Sequence, residues 1–110
     1  MIDKELKLNK DLLEKGVERL STRDGFGRGL VEAGEKDSRV VALTADLKDS
    51  TRLKLFADKF PERFIEVGVA EQALATIASG MAAYGKIPFI TSYAIFSPGR
   101  NWEQIRTTIA

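Results

Sequence analysis

The sequence predicts an α/β fold: a parallel sheet with helices on both faces, incomplete at its C-terminal end. Three observations carry this expectation. Short apolar, β-branched runs at 39–44, 64–67 and 88–92 alternate with segments whose apolar residues recur at helical spacing. The first run, Arg39-Val40-Val41-Ala42-Leu43-Thr44, does not alternate with polar residues, as expected of a strand covered on both faces. Strands separated by helices in this way pair in parallel through right-handed crossovers.

Taken in order, residues 3–20 read as an amphipathic helix, with Leu6, Leu13, Val17 and Leu20 at helical spacing and Lys and Glu between them. This leading segment, 1–20, precedes a domain over 21–110. A second helix starts near Ser21 or Thr22, carries Phe26, Leu30 and Ala33 on one side, and frays near Gly34. After the first strand, Ser50 or Thr51 caps a third helix through Leu53, Leu55, Phe56 and Phe60, which Pro61 stops. Phe64-Ile65-Glu66-Val67 is the second strand. Residues 70–84 form a helix of mostly small residues, and Pro88-Phe89-Ile90-Thr91-Ser92 is the third strand. Ser97-Pro98-Gly99 turns the chain into a last helix over 101–110. Ala110 falls inside that helix's apolar pattern with no stop signal, and three parallel strands are few for an independent sheet. The domain is therefore expected to be cut off before completion.

Composition narrows the functional classes. A length of 110 residues allows one domain or part of one. Lys plus Arg number 17 against 16 Asp plus Glu, so no basic excess exists to neutralise a nucleic-acid backbone. With no Cys and no His, disulfides, thiolate metal sites and Ser-His or Cys-His nucleophile pairs are excluded. Acid–base chemistry must rest on carboxylates, Lys, Tyr or a cofactor. The polar start lacks the apolar core of a signal peptide, and the uncharged stretch around the fourth helix is too short to span a bilayer. A cytoplasmic protein without membrane attachment is expected.

In an open parallel sheet, ligands bind outside the carboxyl ends of the strands. Asp46, Leu47 and Ser50 follow the first strand, Glu71 the second, and Tyr93 and Phe96 the third. Glu71 has a structural reading, a first-turn carboxylate favoured by the helix dipole. It also has a chemical one. Among Val69, Ala70, Ala73 and Leu74 it would be desolvated, which disfavours its charged form. Asp46 reads equally as a turn-former or a ligand contact. Tyr93 and Phe96 read as core or as a stacking surface for a planar ring. Gly25-Phe26-Gly27-Arg28-Gly29 is no dinucleotide loop, because no strand precedes it and its last Gly is one place early. Its glycines, like the small residues of 70–84, suit close packing.

At these residues the chain resembles a known family. Ser21-Thr22-Arg23-Asp24-Gly25-Phe26-Gly27, Leu43-Thr44-Ala45-Asp46-Leu47, the run from Phe64 through Gly68-Val69-Ala70-Glu71-Gln72, and the run from Phe96 through Arg100-Asn101-Trp102-Glu103-Gln104-Ile105-Arg106 are similar to transketolase. The likeness is to its pyrimidine-binding domain, above all in split enzymes whose C-terminal half is a separate subunit. It extends over nearly everything from residue 21.

The resemblance implies a thiamine-diphosphate-binding fold and a role for each matching position. Glu71 would be the catalytic glutamate, bonding the aminopyrimidine nitrogen. Asp46 and Leu47 would line the cofactor near its thiazolium, with Phe96 and Tyr93 against the pyrimidine. Arg23 and Ser50 would hold the phosphate of a sugar substrate. Gly99 stands where the family has a third pocket aromatic. No metal ligand is implied in this chain: the diphosphate and its Mg2+ or other divalent ion would belong to a diphosphate-binding, N-terminal partner subunit, in a homo- or hetero-oligomer. The implied activity is transfer of a two-carbon ketol unit between sugar phosphates, in the pentose phosphate pathway. Related readings are deoxyxylulose phosphate synthase, the β subunit of a 2-oxoacid dehydrogenase, and a truncated, non-catalytic interaction subunit. The cofactor carries the hard chemistry, which is how a chain without histidine could take part.

Overall fold

The computed structural model describes residues 11–110. Its elements follow in the order α1 (Thr22–Lys36), β1 (Val40–Thr44), α2 (Lys54–Lys59), β2 (Phe64–Glu66), α3 (Glu71–Ala83), β3 (Ile87–Thr91) and α4 (Trp102–Gln104). A 3-10 turn at Pro61–Arg63 precedes β2, and a π-helical turn at Ile105–Ile109 follows α4. The three strands form one parallel sheet in the order β2-β1-β3.

β1 is central and all five of its residues are buried. Its side chains alternate between two cores. Val40 and Ala42 meet Leu30, Leu53 and Phe56 on the side of α1 and α2. Val41 and Leu43 meet Leu74 and Ala78 of α3 on the other. Each large apolar side chain removed from water here contributes roughly 1.5–3 kcal/mol, well above any surface ion pair. The two-sided burial read from the sequence is thus what holds the layers. By register, Ile87 and Phe89 of β3 share the face of Val40 and Ala42. Both remain 36% exposed, because α1 and α2 cover β1 and β2 and stop short of β3.

α1 packs on α2 where its glycines allow it. A Cβ at Gly34 would stand 2.7 Å from the Phe56 ring, and one at Gly27 2.8 Å from the Arg52 carbonyl oxygen. Gly25 and Gly29 have nothing within 4 Å, so only Gly27 of that run serves close packing. Because Gly34 is a packing residue, α1 does not fray there but runs on to Lys36. Arg63 seals the junction. It donates to the carbonyls of Gly34 and Asp37, and its guanidinium lies 3.8 Å from the centroid of Phe60.

Two further expectations are corrected. Residues 11–20 are turns and irregular chain rather than helix, and residues 3–10 of the expected helix over 3–20 lie outside the described residues. Gly16 takes a φ of +104° there, and Leu13 and Leu20 are 95% and 78% exposed. An apolar stripe that finds no partner does not stabilise a short helix. Nor does Ser50 or Thr51 cap α2, which starts at Lys54. Arg52 takes a φ of +63°, which interrupts any helix across it, and the Thr51 hydroxyl donates to the Leu47 carbonyl instead. The last helix is short: α4 gives way to the π-helical turn. Among the described residues no helix is long and apolar enough to cross a membrane.

Candidate functional site

Register aligns the last residues of the three strands, Glu66, Thr44 and Thr91, in one row at the carboxyl edge. The Glu66 carboxylate Oε1 accepts the N–H of Asp46 at 2.8 Å and that of Gly68 at 2.9 Å. Asp46 and Gly68 have φ of +58° and +70°. One carboxylate therefore braces the loops after β1 and β2, both of which turn through the left-handed region. On the other side the Thr44 hydroxyl donates to the Thr91 carbonyl at 3.2 Å, and the Thr44, Thr91 and Thr51 hydroxyls form a chain with 3.2 Å steps. Thr44 is fully buried and Thr91 nearly so, and their hydroxyls are satisfied within the protein.

Above these threonines lies a cavity of about 480 Å3 between α1, the turn before α2 and the loop after β3. Arg23, Ser50, Thr51, Ser92, Tyr93 and Ser97 are among its lining residues. The Arg23 guanidinium donates to the Ser50 carbonyl oxygen at 3.4 Å. The Ser92 hydroxyl is buried with no partner in the protein. One arginine and several hydroxyls on an open wall suit a polyhydroxylated, anionic ligand.

A second hollow, of about 620 Å3, opens at the start of α3 and is lined by Val69, Ala70, Glu71, Gln72, Ala73 and Arg100. Glu71 is only 4% exposed. Its Oε2 stands 3.7 Å from Nη1 of Arg100. The same guanidinium lies 4.2 Å from the centroid of the Phe96 ring, and Phe96 stacks on Tyr93 at 6.0 Å. Tyr93 is 46% exposed, so this aromatic pair is a surface and not core. It joins the two hollows: Tyr93 lines the first, and Phe96 faces the arginine of the second.

The residues singled out in the sequence are thus divided. Arg23, Ser50 and Tyr93 share the first cavity, and Glu71 lines the second. Asp46, exposed, and Leu47, half-buried, stand in the β1–α2 loop and line neither. Sequence reasoning passed over Glu66, Thr44, Thr91 and Arg100. A polar residue ending an otherwise apolar strand is the signal that could have marked the first three. Arg100 falls in the run that carries the resemblance, but its place beside Glu71 depends on how the loop after β3 folds back on α3.

This arrangement is an α/β module: a parallel sheet with a buried glutamate opening the helix after its second strand and an aromatic pair after its third. Residues 18–110 match the family described as transketolase, pyrimidine binding domain. The chain belongs to that family. It is 48% identical over 88 residues to a candidate transketolase C-terminal section of Methanocaldococcus jannaschii, covering 80% of this chain and 28% of that protein. It is 43% identical over 98 residues to a 1-deoxy-D-xylulose-5-phosphate synthase of Clostridium perfringens, covering 86% of this chain and 16% of that enzyme. A solved structure described as a split gene transketolase, inactive beta4 tetramer, superposes with a TM-score of 0.75 at 44% identity, over 84% of this chain and 30% of that one. The chain thus spans less than a third of the length of each of these relatives.

Proposed function

We infer that the chain is the pyrimidine-binding part of a transketolase divided between subunits, with residues 21–110 forming a partial domain after a leading segment over 1–20. The observation that carries this is at Glu71: the planar guanidinium of Arg100 lies 3.7 Å from this buried carboxylate and 4.2 Å from the Phe96 centroid, so one planar group can reach both. An aminopyrimidine is such a group, with a ring nitrogen for the carboxyl and a face for the aromatic ring. On this reading the Glu71 carboxyl hydrogen-bonds the ring nitrogen. Phe96 and Tyr93 keep the ring in the orientation that proton transfer needs. Asp46 and Leu47 approach the cofactor from the loop that Glu66 braces. Arg23 and Ser50 take the phosphate of a sugar. Thiamine diphosphate, when bound, supplies the nucleophilic carbon and its own base. Its diphosphate and a divalent ion such as Mg2+ fall to a diphosphate-binding partner subunit.

The test is turnover of xylulose 5-phosphate with ribose 5-phosphate, with thiamine diphosphate and magnesium, by the chain alone and with that partner. Turnover is expected only with the partner, which would set the activity in the pentose phosphate pathway. Turnover by the chain alone would refute the division of labour. In the assembled enzyme, Glu71→Gln should slow exchange of the cofactor C2 proton and lower kcat far more than it raises sugar KM. Exchange at the unaltered rate would reduce Glu71 to a first-turn carboxylate. A second reading, synthesis of 1-deoxyxylulose 5-phosphate, is favoured by the 43% identity to that synthase. Turnover of pyruvate with glyceraldehyde 3-phosphate, in place of the ketose and aldose, would establish it.

A further inference from the structure

We propose that Arg100 is a built-in stand-in for the cofactor ring, a latch that closes over Glu71 and Phe96 until the pyrimidine displaces it. The proposal rests on the reading of Glu71 above and concerns how that site is regulated. A guanidinium is planar, carries N–H donors in its plane and stacks on aromatic faces. Here the guanidinium reaches both partners, lying 3.7 Å from the Glu71 carboxylate and 4.2 Å from the Phe96 centroid. Those are the carboxylate and the face assigned to the aminopyrimidine, so arginine and cofactor cannot both have them.

The contact is built to be given up. At 3.7 Å it is an ion pair beyond hydrogen-bond length, and the Arg100 side chain is 53% exposed, so its charge is readily solvated when it leaves. The backbone under it stays put. The Arg100 N–H donates to the Phe96 carbonyl at 2.7 Å. The fully buried Asn101 donates from Nδ2 to the Ser97 hydroxyl at 3.0 Å. Only the flexible arginine stem has to swing. What the closed latch provides is a counter-charge for a carboxylate that is 4% exposed. Among the described residues no other cation pairs with Glu71. Without a counter-charge a carboxylate so buried is costly to keep ionised.

A latch closed nine-tenths of the time lowers apparent cofactor affinity about tenfold, by the population rule for a binding-competent minority. The experiment is calorimetric titration of thiamine diphosphate, with magnesium, into the chain assembled with its diphosphate-binding partner. Arg100→Ala should bind several-fold tighter, up to about tenfold. Arg100→Lys keeps the charge and loses the planar fork, so it should fall between Ala and the unaltered chain. In a Glu71→Gln background, removing Arg100 should change affinity much less, because the pair is already broken. Affinity unchanged or weakened in both Arg100→Ala and Arg100→Lys would overturn the latch. If Glu71→Gln slows C2-proton exchange and neither Arg100 variant tightens binding, the function stands and the latch alone falls. If Glu71→Gln leaves exchange untouched, both fall.

Discussion

Arg52 Nε donates to Asp24 Oδ1 at 2.5 Å, tying the first turn of α1 to the turn that precedes α2. Hydrogen bonding from Arg52 holds the Asp24 carboxyl below its ordinary range. This pairing leaves Arg23, the neighbour of Asp24, to face the cavity and the Ser50 carbonyl. A surface pair between Arg23 and Asp24, the alternative that adjacency in sequence suggests, is not formed.

The substrate prediction follows from that. In the assembled enzyme, Arg23→Ala should lower kcat/KM for a phosphorylated ketose by the equivalent of about 1.5 kcal/mol, the lower end for a charged hydrogen bond, because Arg23 is exposed. An unphosphorylated donor such as hydroxypyruvate should be nearly unaffected. Equal losses for both donors, or none for either, would remove Arg23 from the phosphate site.

Glu66 makes a separate prediction about loop order. Its Oε1 accepts both the Asp46 and the Gly68 N–H. Glu66→Ala should speed hydrogen exchange at those two amides and weaken cofactor binding, while exchange within β1 stays slow. Glu66→Gln keeps an acceptor oxygen and should restore most of the protection. Equal exchange in all three proteins would mean that the loops are held by something else.

Gly34 sets two effects against each other. Ala in a helix interior gains roughly 1 kcal/mol over Gly in propensity. At Gly34 the new methyl would stand 2.7 Å from Phe56, itself fully buried, and 2.9 Å from Phe60. Overpacking costs typically about 1–3 kcal/mol, and the ring has no room to retreat, so Gly34→Ala should be destabilising. Gly29→Ala, with nothing within 4 Å, should be stabilising. Thermal unfolding of the two variants should move in opposite directions.

Acid sensitivity is expected at the end of α1. Side-chain hydrogen bonds from Arg39, helped by the Arg39 N–H, lower the Asp37 carboxyl from 3.8 to about 2. A carboxyl depressed in the folded state adds stability above its unfolded pKa, and that stability is lost as pH falls through the folded value. The loss should therefore run from just below 3.8 down to about 2. Asp37→Asn should be less stable than the unaltered chain at neutral pH, and the gap should close across that window. A gap that persists unchanged at the acid end would rule out titration of Asp37 as its source.

Much of the fold was legible because its causes are local. An unbroken apolar run such as Val40 to Leu43 has to be covered on both sides, and helical spacing at Phe26, Leu30 and Ala33 has to face a core. Those facts determined the order of elements, the parallel sheet and the gathering of Glu71, Tyr93 and Phe96 at its carboxyl edge. Over 11–20 the expected helix is absent because Leu13 and Leu20 carry the right spacing while nothing in the described structure receives them. What only the tertiary structure decided depends on distances between elements far apart in the chain. β1 lies between β2 and β3, so Glu66, Thr44 and Thr91 come into one row. Asp24 finds Arg52 across 28 positions rather than its neighbour. The expected single edge divides into two hollows joined by Tyr93 and Phe96, and Arg100 reaches Glu71 over one of them. Periodicity records which side of an element is buried. It carries no information on which charged side chain of another element arrives there, since that is decided by packing angles and loop paths.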